Sequence, residues 1–224
     1  MSKKTKKSAP LSPAITRFPT PLAKNPPQLS DEEKIAVITD RFRDIMEVLG
    51  LDLTDDSLAH TPSRVAHMYV KEVFGGLDLA NFPSMSFFDH DFDAEHKGNT
   101  VFLKVGFTSF CEHHFVPMSG FAYIAYVPQK KLIGLSKVPR IVRYFARRPQ
   151  LQERLAAQIA DSLSIILQTN DVAVSISARH YCVMARGIQD ENSHAITTIL
   201  RGQFGEDDNL RREFFEGINR QDMN

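Results

Sequence analysis

Apolar positions along the chain change period several times, and each change marks an element. Ile35, Ile38, Phe42, Ile45 and Leu49 recur at helical spacing. Ser30-Asp31-Glu32-Glu33 ahead of them reads as a capping box, and Gly50 behind them as a stop. Thr61-Pro62, read as an N-cap followed by proline in the first turn, opens a second helix with Val65, Met68, Tyr69 and Val73, ending at Gly75-Gly76. The period then shortens to two. Val101, Leu103, Val105 and Phe107 alternate like a half-buried strand, and residues 120–127 make another. Cys111 to Met118 are expected in the connection between them. Short and long helices are predicted over 137–146 and 150–168, the latter with Leu151, Leu155, Ile159, Leu163 and Ile166 on one stripe. A third strand carries Val172, Val174, Ile176 and Ala178 and is expected to run on toward Cys182. A fourth covers roughly 195–204, and the charged C-terminus reads as a helix. Paired strands with helices between them predict an α+β class with an antiparallel sheet.

Residues 1–29 carry six prolines, Lys3, Lys4, Lys6 and Lys7, and no acidic residue. Such a segment buries too little apolar surface to offset its ordering entropy, so it reads as a disordered basic tail. The domain is expected over 30–224, with a helical part at about 30–76 and a catalytic α+β part at about 98–224. The stretch Phe87–Asn99 holds His90 and His96 at irregular spacing and reads as an exposed loop.

Charge narrows the partners. Lys+Arg and Asp+Glu are both 27, so no global excess favours nucleic acid or an anionic membrane. No apolar run approaches the ~20 residues that span a bilayer, and the N-terminal lysines precede no apolar stretch, so a cytoplasmic protein is expected. Only two cysteines are present, Cys111 and Cys182.

Both cysteines sit in the densest chemical segments, Cys111-Glu112-His113-His114 and His180-Tyr181-Cys182. Cys-x-x-His lets two side chains face one ion across a short turn. Residues 180 and 182, if both on a strand, point to one face. A site of Cys111, His114 and Cys182 would leave His113 and His180 nearby and unligated. Three protein ligands leave a metal position open for water, as catalytic zinc requires, and two spare imidazoles can move protons near neutral pH. Spacing alone also leaves open a structural zinc closed by a fourth ligand, a redox pair, and unrelated cysteines. Gly134-Leu135-Ser136-Lys137-Val138-Pro139-Arg140 puts cations and a hydroxyl at an expected helix N-terminus, where backbone amides favour anions. Arg64 and Arg186 are further cations. No Gly-x-x-x-x-Gly-Lys-Ser/Thr sequence supports a P-loop. Gln152-Glu153 open the long helix. An acid there either complements the helix dipole or offers a carboxylate fork to adjacent N–H donors such as guanine's.

Taken in order, these segments resemble the GTP cyclohydrolase I family from about Ile35 to Phe215. They include Thr61 to Tyr69, Cys111-Glu112-His113-His114, Gly134 to Lys137, Arg148 to Leu155, His180-Tyr181-Cys182 and Ala185-Arg186-Gly187-Ile188. The resemblance implies a tunnelling fold, an antiparallel sheet with helices on one face, whose sheets join between subunits into a barrel. It implies a homodecamer of two pentamers with the active site at a subunit interface. It implies zinc on Cys111, His114 and Cys182, and catalytic roles for His113 and His180 with Ser136 beside them. It places guanine recognition at Glu153 with Gln152, and the remaining substrate contacts at Lys137, Arg140, Arg186, Arg64 and Leu135. The substrate implied is GTP and the product 7,8-dihydroneopterin triphosphate, with formate released. Sister enzymes of the same fold would be expected to use a three-histidine zinc site or a nucleophilic cysteine without zinc, and the Cys-His-Cys set disfavours both. Phe110 departs from the family pattern, where a small or polar residue is frequent. It removes no group the reaction needs.

Overall fold

The computed structural model describes residues 19–85, 87–89, 100–129 and 131–222. His90 and His96 lie outside them. The chain opens with helix α1 (Asp31–Val48), whose capping box is formed: Ser30 Oγ accepts from the Glu33 amide, and the Glu33 carboxylate accepts from the Ser30 amide. Gly50 follows the C-cap with φ 76°, the left-handed turn a glycine takes without strain. His60 rather than Thr61 occupies the N-cap position of helix α2 (Thr61–His67), without a side-chain capping bond, and Thr61 is already helical. It continues through a π-helical turn, Met68–Val73. The sequence period could not separate that turn from the α-helix before it.

A small sheet pairs β1 (Phe87–Asp89) with β4 (Lys131–Ile133), so the 87–89 part of the expected loop is a strand. The main sheet has the order β5-β2-β3-β6-β7, formed by β5 (Pro149–Gln150), β2 (Val101–Cys111), β3 (Pro117–Tyr126), β6 (Val172–His180) and β7 (Ala195–Leu200). Every pairing is antiparallel except β2 with the two-residue β5. Cys111 and Met118 belong to the strands rather than to their connection. Strand β7 stops at Leu200, and the short helix α6 (Gln203–Glu206) takes the residues expected to extend it. Gly120 permits close strand packing: a Cβ there would lie 2.0 Å from the Ser177 carbonyl oxygen.

Alternation along β3 sorts its side chains onto two apolar faces. Ala122, Ile124 and Tyr126 join Val172, Val174 and Ile176 beneath α3 (Lys137–Ala146) and α4 (Gln152–Leu167), with Ile141, Leu155, Ile159 and Leu163 filling the layer between. Tyr123, Ala125 and Ala173 face the other way and pack with Phe204 and Phe214, the latter on α7 (Asp208–Asp222). Helices therefore cover both faces, not one. The C-terminal helix is needed because the second face carries its own apolar residues. Among the described residues no helix is long and apolar enough to cross a membrane.

Order reaches back before α1. Thr20 is buried, and its hydroxyl accepts from Arg148 Nη1 and Gln158 Nε2, each at 3.2 Å. Arg148 is itself buried, donates from Nε to the Gly76 carbonyl at 2.8 Å, and stacks its guanidinium on Tyr144 and Phe145.

Candidate metal centre and active site

Three strand segments end together. Phe110 of β2 faces Pro117 of β3, Met118 faces His180 of β6, and Cys111 faces Gln150 of β5. The connection after Cys111 is a tight turn. Its Phe115 amide donates to the Cys111 carbonyl at 2.8 Å, and the Cys111 amide donates to the Val116 carbonyl at 2.9 Å. The Glu112 amide is held on the Gln150 carbonyl at 3.0 Å. Phe115 takes φ 53°, a left-handed conformation uncommon outside glycine, which closes the turn. The turn brings His114 back beside Cys111.

Strand β6 ends at His180, and the chain then winds into the single helical turn α5 (Tyr181–Met184). Cys182 thus reaches the site from a helix. The expected strand through residue 182, with His180 and Cys182 on one face, is not formed, because β6 has no further partner on β3 beyond the Met118 pairing. The outcome for the metal group is the same by another route. One ligand atom from each of Cys111, His114 and Cys182 lies within 4.8 Å of the others. Two thiols and an imidazole are a donor set suited to zinc. Burial pushes the Cys182 thiol up, and the Cys111 thiol beside it adds to the shift. A cation between them reverses that pressure and favours thiolates. The residues fit zinc, and three protein ligands would leave such an ion open to one more ligand, water or substrate.

The spare histidines stand at different places: His113 touches the group, and His180 ends β6 two residues before Cys182. His113 Nδ1 lies 3.8 Å from Cys111 Sγ. His180 Nε2 lies 2.8 Å from Gln152 Oε1. Burial pulls the His180 imidazole below its usual range, and the Glu153 carboxylate nearby works against that pull. Arg186 Nη1 lies 3.0 Å from His114 Nε2, which puts one predicted cation at the metal group.

The other predicted residues stand further out. Ser136 precedes α3, its hydroxyl makes no cap hydrogen bond, and both it and Leu135 are exposed. Lys137 opens α3, and Arg140 is exposed in the following turn. Arg140 lines a cleft of about 390 Å³ with Lys71, Arg143, Tyr144 and Arg147. Arg64 is exposed on α2. Among the described residues no hydrogen bond or ion pair joins Arg64, Lys137 or Arg140 to the cysteine and histidine group. Glu153 is exposed in the first turn of α4, whereas Gln152 beside it is buried at 3% exposure. A separate cleft of about 840 Å³ lies over the sheet face bearing Thr108, Phe121, Ser177 and Arg179 and contains none of the three metal-group residues.

Two contacts had no signal in the sequence. Gln152 pairs with His180 across 28 residues, and Arg154 with Glu112 across 42. Both unite elements whose proximity only the fold decides.

A model of the GTP cyclohydrolase I family matches residues 38–219. A GTP cyclohydrolase 1 of Aeromonas hydrophila is 48% identical over 201 residues, covering 90% of each chain. Its counterpart from Aeromonas salmonicida is 48% identical over 199 residues, and that from Salmonella arizonae 47% over 199, each covering 89% of both chains. The matched span contains Cys111, His113, His114, His180 and Cys182. On this likeness over nearly its whole length, the chain belongs to the GTP cyclohydrolase I family of enzymes.

Proposed function

We propose that the protein converts GTP to 7,8-dihydroneopterin triphosphate and formate, as an early step of pterin formation, with zinc on Cys111, His114 and Cys182. The observation that carries this reading is a three-residue group able to hold a metal, with the His113 imidazole against it and His180 two residues before its ligand Cys182. A structural site needs neither of those imidazoles.

Zinc held there supplies a Lewis acid that makes hydroxide available near neutral pH. The chain's own residues do the rest. The exposed Glu153 carboxylate accepts from the adjacent N–H donors of guanine and fixes the base. Lys137, Arg140, Arg186 and Arg64 neutralise the triphosphate, with the N-terminus of α3 adding its amides. Leu135 and Ser136 line the approach to the base and ribose. Water adds at C8, and His180 takes up a proton from that water and returns it to the imidazole nitrogen as the ring opens. A second water releases formate. His113 then assists proton transfers as the ribose rearranges and the new ring closes with loss of one water, so that one water is consumed overall. No electrons are gained or lost overall, so no redox cofactor enters.

Arg64, Lys137 and Arg140 stand apart from the metal group in a single chain, which supports a site completed between subunits. Apolar side chains left exposed support assembly as well. Val48 and Leu49 at the C-terminal end of the first helix are 88% and 69% exposed, and Ile196 on the edge strand β7 is 71% exposed. The proposed assembly is a decamer whose sheets continue between subunits as a barrel.

Replacing His113 with alanine tests the reading. Loss of turnover with zinc content and assembly unchanged is expected. Loss of zinc would instead make His113 a ligand.

A further inference from the structure

Gln152 is the first residue of α4, and its side-chain amide is wedged between two strands. Its Nε2 lies 3.2 Å from the Ile176 carbonyl of β6, 3.0 Å from the Ala195 carbonyl of β7 and 3.1 Å from Thr197 Oγ1. These anchors are fixed by the sheet, since Ile176 pairs with Thr197 and Ala178 with Ala195. A carbonyl oxygen only accepts. Two carbonyls at one end of the amide therefore identify that end as the NH2. The reversed amide would set its oxygen against two others, in a buried place where unmatched acceptors are expensive. The Thr197 hydroxyl can accept or donate and does not decide the matter.

With the amide fixed, its oxygen is the end that faces His180, 2.8 Å from Nε2. That oxygen carries no proton, so the hydrogen between the two atoms belongs to Nε2. In a neutral imidazole the proton is on one nitrogen only, and the hydrogen bond made by one nitrogen decides what the other can do. His180 is thereby left with Nδ1 as its bare, proton-accepting atom.

We infer that Gln152 is a positioning residue that holds His180 as its Nε2–H tautomer, so that protons exchanged with substrate move at Nδ1. This gives Gln152 work other than reading guanine, which falls to the exposed Glu153 one residue on. The inference rests on His180 being a proton-transfer group in the proposed reaction.

Magic-angle-spinning NMR of the zinc-loaded protein, labelled with 15N in histidine and held at pH 8, tests the tautomer. The His180 resonances are identified by their loss in His180→Gln. A proton on Nε2 is the expected result, and a bare Nε2 overturns the inference. Kinetics of Gln152→Met, which keeps the side chain's length and removes both amide ends, give a second test. A fall in kcat of roughly tenfold or more, with KM for GTP changed less than about threefold, is expected of lost positioning. A raised KM with kcat kept marks a guanine-reading residue and overturns it. The NMR result stands on the unmutated chain, so a Gln152→Met protein that does not fold leaves the test intact. Undiminished turnover in His180→Gln overturns the reading beneath the inference, whereas a bare Nε2 overturns the tautomer alone and spares that reading.

Discussion

Glu112 and Arg154 form a forked ion pair, with Arg154 Nη2 3.4 Å from Glu112 Oε1 and Nη1 on Oε2. It joins the loop that follows Cys111 and carries His113 and His114 to the first turn of α4, which carries Gln152 and Glu153. The two side chains are only 5% and 20% exposed. Removing one partner of such a pair strands the other charge away from water. Arg154→Met is expected to lose about 3 kcal/mol of stability. For a chain of this size that lowers the melting temperature by roughly 10 °C. The double variant Arg154→Met with Glu112→Leu should recover most of the loss, because the stranded charge goes too. A single variant that melts with the parent contradicts the assignment.

Metal removal should expose the thiols to each other. Cys111 and Cys182 present ligand atoms within 4.8 Å, and the chain has no other cysteine. Chelated protein left in air is expected to form the Cys111–Cys182 disulfide after a modest shift of the α5 turn, taking the thiol count from two to zero, with reductant restoring both. Two thiols persisting through oxidation would mean that the turn holds them apart.

The elements longest in sequence were the ones most legible in it. The stripe on α4 and the alternation on β2, β3 and β6 are repeated signals, each reinforced over several turns or pleats. The capping box at Ser30 was legible because it is a local exchange between residues three apart. What escaped were short features whose form depends on distant neighbours. Strand β5 has two residues, too few for a period, and exists because β2 offers it an edge. Cys182 moved from an expected strand to α5 because pairing ends at His180. Helix α7 covers the second face of the sheet because Tyr123 and Ala125 are apolar, a choice no local pattern in α7 reveals. In the site, residue types and spacing pointed to the metal group, whereas the partners of Gln152 and Arg154 depended on how α4 docks.

Gly120 is a packing requirement close to the site. A Cβ added there would meet the Ser177 carbonyl oxygen at 2.0 Å and Ala178 Cα at 2.7 Å, both backbone atoms of β6 two or three residues before His180. Gly120→Ala is expected to force β3 and β6 apart and to lose about 3 kcal/mol, the upper part of the range for overpacking. Thermal melting checks this, and a melting temperature equal to the parent's would contradict it.

The end of α7 should be acid-sensitive. Hydrogen bonds from Lys104 and Tyr123 hold the Asp222 carboxyl below its ordinary range. A carboxylate with a depressed folded-state pKa stabilises the fold fully above its unfolded value of about 3.9, and that contribution is lost as pH falls through the folded value. Asp222→Asn is expected to flatten the acid side of the stability profile below about pH 4 and to leave its shape near pH 8 unchanged. An acid side as steep as the parent's would place the sensitivity elsewhere.

The central claim is that the Cys111, His114 and Cys182 group serves GTP chemistry. The most direct test incubates purified protein with GTP and follows formate together with the fluorescence of the oxidised pterin, with and without a zinc chelator. Formate and pterin rising together, and both abolished by chelator, is the predicted result. An assembled, zinc-containing protein that yields neither product would contradict it.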